Sequence, residues 1–424
     1  MQMTRLVIGF VTLQIFSGFA LAGGPLVIEG ADGNTAVTYQ DPNITVHVES
    51  GDLNAETDNA AAELILRDAF NLWNIVPTST IELDIDLAAL ALEPDINSSN
   101  FEQYIPSVDG SEFNGNDSLN PIVYDSDGAI IDAFFGGGAS DDIIGFAASI
   151  YNLNNPFFNE GYAVINGKTQ DLSLSDTEFK LLIAHEMGHF FGLDHTQVDI
   201  NNQEIDSRFS AYPICETRAQ KTDYPVMYPF VCRDDTSLHA DDISAVSALY
   251  PTTDINNTFG ILQGHFVNES GLAILGANIW AKKDTGEAIS IVSDYLKEGN
   301  GFYKLYLPPG NYTLHANSIN TLFNDGSSIG PYSSDISDKS FIDPHPISEI
   351  AYQGTKPGNA VNITIDSGQI LDIVFSITGN DAVLVNPPAE SSSSSGKTSL
   401  ITLLLLLSSL LLTRRAILPP TAKP

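Results

Sequence analysis

Eleven residues, His185-Glu186-Met187-Gly188-His189-Phe190-Phe191-Gly192-Leu193-Asp194-His195, constrain this chain more than any other stretch, and they hold three of its eight histidines. On a helix, residues four apart share a face, so His185 and His189 can aim two imidazoles at one ion. Glu186 then sits at the edge of that face, in reach of a water beside the ion without being a ligand itself. Gly192 can adopt positive φ and stop the helix, so the chain turns and His195 returns from outside it. Three neutral imidazoles leave a fourth tetrahedral position open. That arrangement marks catalytic zinc, because structural zinc is closed by four protein ligands. The plain alternative is a surface helix that happens to carry histidines.

The helix has readable ends. Ser175 and Glu178 form a capping box at its start, and Phe179, Leu182, Ile183, Met187 and Phe190 recur at helical spacing as its core face. Downstream, Tyr224-Pro225-Val226-Met227-Tyr228-Pro229-Phe230 is a proline-flanked turn around a methionine.

These residues carry a resemblance. The His185–His195 stretch fits the HExxHxxGxxH pattern of zinc-dependent peptidases, and the Met227 turn resembles the methionine turn of the metzincins. From about Leu64 to Tyr250 the chain resembles a matrixin, the metzincin branch that includes the matrix metalloproteases. Thr196 follows the third histidine, where matrixins carry Ser or Thr. Leu238-His239-Ala240-Asp241-Asp242-Ile243 with Leu249-Tyr250 resembles the closing helix of that family. Ala69-Phe70-Asn71-Leu72-Trp73 followed by Ile81-Glu82-Leu83-Asp84 resembles its first helix and strand. The resemblance implies zinc on His185, His189 and His195, with Glu186 as general base for hydrolysis of extended peptides. It also places Pro229, Phe230 and Val231 on the wall of the S1′ pocket, although matrixins usually carry Tyr where Val231 stands. Gly161-Tyr162-Ala163-Val164-Ile165-Asn166 is expected to be the edge strand that receives substrate.

The departures are specific. His195 and Met227 are further apart than in short matrixins, so a loop is inserted between them. Cys215 and Cys232, the only cysteines, bracket the turn. They are read as a disulfide worth about 3 kcal/mol in the chain-entropy model, with two free thiols as the alternative. No cysteine precedes residue 215, so the propeptide cysteine switch of vertebrate matrixins has no counterpart in this sequence. Pro229 replaces the tyrosine that ligates zinc in astacins and serralysins.

A formal net charge of −35, from 53 acidic against 18 basic residues, argues against nucleic acid or anionic lipid as partner. It suits an extracellular enzyme acting on protein or peptide substrates, and solubility or salt adaptation explains it equally well. Matrixins often bind calcium; Asp125, Asp127 and Asp132 are the best candidates here, though no EF-hand is completed. His47, His239, His265, His315 and His345 are isolated and read as structural. Nothing in the pattern suggests repeats or coiled coils, so a monomer is expected.

Residues 1–22 read as a secretory signal peptide with a small-residue cleavage site before Gly23. Residues 23–60 are either a short pro-segment, which could also block the cleft, or the N-terminal part of the peptidase unit, assigned to 61–252. Residues 253–385 alternate apolar and polar positions between turns, as a β-sandwich does. Gly260–Gly264, Gly276–Ile279 and Leu307–Tyr312 resemble a carboxypeptidase regulatory-like, transthyretin-type domain, which implies a stalk or binding module. A Ser/Pro-rich linker (386–397), a short apolar segment (398–413) and a basic, polar tail (414–424) follow. This ending resembles the GlyGly-CTERM sorting tails of Gram-negative bacteria, with a eukaryotic GPI signal as the competing reading. The apolar run is shorter than the roughly 20 residues of a comfortable membrane span. The expected fold is thus an α+β metzincin domain, a twisted sheet with an active-site helix and a C-terminal helix, plus an all-β sandwich. The expected function is a secreted or surface-attached zinc endopeptidase. The alternative is a catalytically silent or latent metzincin scaffold used for surface binding or adhesion.

Overall fold

The computed structural model describes residues 24–28, 34–86, 95–105, 119–141, 143–152, 155–168, 175–198, 224–228, 232–233, 235–319, 332, 347–354 and 359–377. It is mixed α/β, with several sheets and few helices. The signal segment, the Ser/Pro linker, the apolar segment and the tail lie outside the described residues. Among the described residues, no helix is long and apolar enough to cross a membrane.

In chain order the first unit contains β1 (Thr38–Tyr39), β2 (Asn43–Val48), α1 (Asn59–Asn74), β3 (Glu82–Ile85), β4 (Pro121–Asp125), α2 (Ala129–Phe135), β5 (Gly145–Asn152), β6 (Asn155–Asn166), α3 (Asp176–Phe190) and α4 (Ala240–Leu249). Its sheet runs β3-β2-β4-β6, all parallel, with β1 also parallel to β6 and β5 antiparallel on the far side of β6. Parallel interior strands are covered on both faces and read as continuous apolar runs. Ala163, Val164 and Ile165 of β6 are accordingly all buried.

Two sequence questions are answered by this order. Residues 43–48 form a strand inside the sheet, between β3 and β4, so this part of 23–60 belongs to the fold of the unit. Further upstream, Pro25 bridges Leu193, and Leu26 N–H donates to Gly192 O at 2.7 Å. The expectation that Gly161–Asn166 is the edge strand is corrected: it pairs with β4 on one side and β5 on the other. Among the described residues the sheet ends at β3 on one side and at the antiparallel β5 on the other.

One face of the sheet packs on α1 and α3 through a core that includes Val46, Leu66, Phe70, Trp73, Ile165, Leu182, Met187 and Phe190. Asp58 caps α1 by accepting from Ala61 N–H, and Trp73 locks the two helices together, its Nε1–H donating to Ala184 O at 2.9 Å. The opposite face carries Phe101, Ile130, Ile131, Ile150, Tyr162 and Val164.

After α5 (Ile255–Thr258) the regular elements among the described residues are all strands: β7 (Gly260–Val267), β8 (Ala277–Lys283), β9 (Ala288–Val292), β10 (Phe302–Leu307), β11 (Gly310–Ser318), β12 (Ile350–Ala351), β13 (Ile363–Ile365), β14 (Ile370–Asp372) and β15 (Phe375–Ser376). One sheet is β10-β7-β14 with β15 also on β7; the other is β12-β11-β8-β9 with β13 also on β11. Alternate residues of both sheets, such as Tyr303, Leu305 and Leu307 of β10 with Leu314 and Ala316 of β11, share one apolar layer. That period-two burial is what the sequence alternation demands of two face-to-face sheets.

Candidate metal centre

Helix α3 begins at the capping box read from the sequence: Ser175 accepts from Glu178 N–H, and the Glu178 side chain accepts from Ser175 N–H. Nearly every residue from Phe179 to Phe190 is buried, so the helix runs through the interior rather than over it. It stops where expected. Gly192 has φ 99°, and Leu193 N–H donates back to Gly188 O at 2.8 Å. The chain then reverses and brings His195 to the helix.

The three imidazoles converge. Nε2 of His189 is 3.0 Å from Nε2 of His185 and 3.2 Å from that of His195, and the His185–His195 pair is also 3.2 Å apart. A tetrahedral ion bound at 2.0–2.1 Å holds its ligand nitrogens roughly 3.3–3.4 Å apart, so the spacing suits zinc. The far nitrogens fix the tautomers: His185 Nδ1–H donates to Val226 O at 2.7 Å and His189 Nδ1–H to Leu193 O at 2.9 Å. Each Nε2 is thereby left as a lone pair. Burial pushes the His185 pKa down to about 4, and burial followed by the neighbouring His185 charge pushes His189 well below its ordinary value. Both rings are neutral near pH 7, the form that ligates metals. Among the described residues, this is the one group of His, Cys, Asp and Glu side chains close enough to hold a metal ion.

Glu186 lies toward the edge strand. A Cβ on Gly145 would touch its Cγ at 3.6 Å, and Ala147 N–H hydrogen-bonds its carboxylate. Burial raises its pKa to about 8 and the Ala147 bond opposes that rise. A nearby cation favours the ionised form. Glu186 thus lies buried against β5, with its protonated form favoured until a cation is near.

Met227 backs the helix. A Cβ on Gly188 would fall 2.2 Å from Met227 Sδ, so only glycine lets the turn approach the helix this closely. The turn itself hangs on α4: Asp242 accepts from Val226 N–H at 2.8 Å, Met227 N–H at 3.0 Å and His239 N–H at 2.8 Å. His239 caps the same helix, its Nδ1 accepting from Asp241 N–H at 3.1 Å, and burial keeps it neutral with a pKa of about 3. Tyr250, at the end of α4, donates its hydroxyl to Phe191 O at 2.6 Å and so ties the closing helix to the end of α3.

The other candidate residues have different places. Pro229, Phe230 and Val231 lie outside the described residues, as do Cys215 and His345. Cys232 is buried and disulfide-bonded. Asp125, Asp127 and Asp132 are not gathered into a cation site. Asp125 accepts from Ile130 N–H at 3.0 Å and Ile131 N–H at 2.8 Å, Asp127 from Ala129 N–H at 3.0 Å, and Asp132 from Ser140 N–H at 2.8 Å. Their carboxylates serve the turn into α2 and the turn after it. Sequence reasoning missed the roles of Asp242, Ala147 and the Val226 carbonyl. The one signal available was the acidic pair Asp241-Asp242 in a helix first turn, where carboxylates complement free N–H groups.

No protein-family model matches the chain, and no curated protein sequence is similar to it. Among solved structures it is similar to the crystal structure of a variant of BcpA, the major pilin subunit of Bacillus cereus. The likeness is 16% identity over 29% of this chain and 30% of that chain, with a TM-score of 0.17. A likeness so slight carries no argument.

Proposed function

We propose that this chain is a zinc-dependent endopeptidase of the matrixin type, exported from the cell and secreted or held at its surface. The observation that carries the reading is the convergence of three Nε2 atoms, 3.0–3.2 Å apart, beside the buried Glu186 carboxylate next to β5. His185, His189 and His195 would hold the ion. When bound there, zinc supplies Lewis acidity toward a carbonyl and brings water closer to deprotonation at neutral pH.

The chain's own residues do the rest. Glu186 takes a proton from the attacking water and returns it to the departing amine, oriented meanwhile by Ala147 N–H. His185 and His189 keep their ring orientation through the Val226 and Leu193 carbonyls, and such outer partners commonly govern ligand basicity. Among the described residues β5 pairs with β6 alone, and its outer side would offer backbone groups to an extended peptide. A parallel sheet with one antiparallel edge strand, a buried histidine helix, a methionine turn and a closing helix all support the matrixin reading. The chemistry named is independent of it.

The test is cleavage of casein by the purified protein, with and without a zinc chelator, beside Glu186→Ala. Activity should vanish with chelator, return with zinc, and fall by about 10²–10⁴ in Glu186→Ala. Full activity in Glu186→Ala, or after complete metal removal, would refute the mechanism. Stoichiometric zinc with no cleavage would favour the silent or latent scaffold instead.

A further inference from the structure

The resemblance of residues 253–385 implies a stalk or binding module, working apart from the histidines. The contacts point elsewhere. The outer face of the β8–β9 sheet is not free: Trp280 and Ala288 pack on Val198, three residues after His195. Leu275 and Val292 pack with Tyr224 and Tyr228, which flank the Met227 turn. On the sandwich's other sheet, the Tyr306 carbonyl accepts from Ser244 Oγ of α4 at 2.8 Å. Three segments that surround the candidate metal centre therefore rest on the sandwich.

The polar seam is more specific. Asp241 lies 1% exposed between the two units and accepts two bonds. One comes from Ser290 N–H of β9 at 2.6 Å, the other from the Thr196 hydroxyl at 2.5 Å. Ser290 Oγ also lies 3.2 Å from Thr196 Oγ1. Thr196 in turn donates its backbone N–H to Met227 O at 2.8 Å and accepts from Val198 N–H at 3.1 Å. A buried carboxylate that spends both oxygens across a seam fixes its partners tightly, because leaving either unpaired is costly.

The three ligands differ in what they need. His185 and His189 are held by the geometry of α3. His195 sits beyond the helix stop, so its place depends on the segment 193–198, which is tied at Leu193 and Asp194 to Gly188 and Gly24 and on the far side of His195 through Thr196. We infer that the β-sandwich is a positioning element of the metal centre: β9 fixes the Asp241 carboxylate, which holds Thr196 and with it His195. The inference rests on reading the three histidines as metal ligands. Asp241, Thr196 and Ser290 are positioning residues here, since none touches the ion or the reacting atoms.

The test is zinc affinity, by competition with a chromophoric chelator, and the visible spectrum of the cobalt(II)-substituted protein, which reads ligand geometry. It compares the intact protein with Thr196→Val, Thr196→Ser and Ala288→Arg. Thr196→Val removes one hydroxyl, Thr196→Ser restores it, and Ala288→Arg wedges the sandwich's outer face off Val198 without touching the sandwich core. Thr196→Val and Ala288→Arg should each weaken zinc binding by about 10–100-fold, the usual cost of losing an outer-shell partner, and alter the cobalt spectrum. Thr196→Ser should match the parent. Parent-like affinity and spectrum in both Thr196→Val and Ala288→Arg overturns the inference. If Ala288→Arg fails to fold, Thr196→Val against Thr196→Ser decides. A parent protein that takes up neither zinc nor cobalt sinks the metal reading and the inference with it. A parent that binds both, with unaffected variants, sinks the inference alone.

Discussion

The two units of this molecule bury different kinds of atoms. The first hides Glu49, Asp125, Glu160, Glu186, Asp194, Asp241 and Asp242; among the described residues of the second, Asp294 is the only buried charged side chain. The sandwich is held mainly by alternating apolar residues, with Asp294 accepting from Asn300 N–H, Gly301 N–H and the Tyr332 hydroxyl. The first unit takes carboxylates out of water and spends their oxygens on backbone N–H groups, as Glu49 does with Ile96 and Tyr124. Desolvating a carboxylate costs free energy that its hydrogen bonds only partly return. What is gained is fixed backbone: the turn into α2 through Asp125, and the Met227 turn through Asp242. The first unit uses buried carboxylates to fix backbone, whereas the second is built on one apolar layer and lends its outer face to the segments around the histidines.

The pH dependence of stability should show the largest contrast. Burial raises the Glu49 carboxyl from 4.5 to about 8, and it raises Asp125, Asp241 and Asp242 as well. A carboxyl whose pKa rises on folding binds its proton more tightly in the native chain. Its stabilising contribution is full below the unfolded value and is lost as pH climbs through the folded one. Relative to Glu49→Gln, the metal-free protein should therefore lose more stability between about pH 4.5 and 8, as followed by urea midpoints; the buried histidines, whose pKa burial lowers, act in the opposite sense in both proteins. Equal slopes in the two proteins would remove Glu49 from the account.

Core truncations come next. Leu66→Ala in α1 and Leu305→Ala in β10 each delete a buried side chain and should cost about 2–5 kcal/mol. Because the seam between α4 and β9 is buried, both should move one shared unfolding transition. Two separate midpoints, each shifted by only one substitution, would show that the units are thermodynamically independent.

The smallest expected effect is the most local. Gly188→Ala forces a methyl against Met227 Sδ and should cost about 1–3 kcal/mol, with weaker zinc uptake. A melting temperature and zinc content like the parent's would mean that the turn does not back the helix as described.

Much of the site could be read from the chain. The α3 capping box, the helix stop at Gly192 and the return of His195 each follow from local rules, because each depends on residues within a few positions. The alternation in 260–377 likewise announced two sheets. The edge strand was misplaced for a reason that is equally physical. Gly161–Asn166 reads as an apolar strand, and only pairing on the second side, here with Gly145–Asn152, tells an interior strand from an edge. The Asp125, Asp127 and Asp132 cluster looked like cation ligands, yet those carboxylates had nearer partners in the N–H groups of their own turns.

By itself, then, the sequence determined the chemistry of the candidate centre, three imidazoles and a carboxylate at helical spacing, since side-chain type and local helix geometry are encoded together. Tertiary structure alone decided which strand lies beside Glu186 at the sheet's end, that residues 43–48 lie inside the sheet, and that Asp241 joins β9 to Thr196. Those facts concern residues tens of positions apart, and what fixes them is burial: a desolvated N–H or carboxylate must find a partner wherever the fold supplies one.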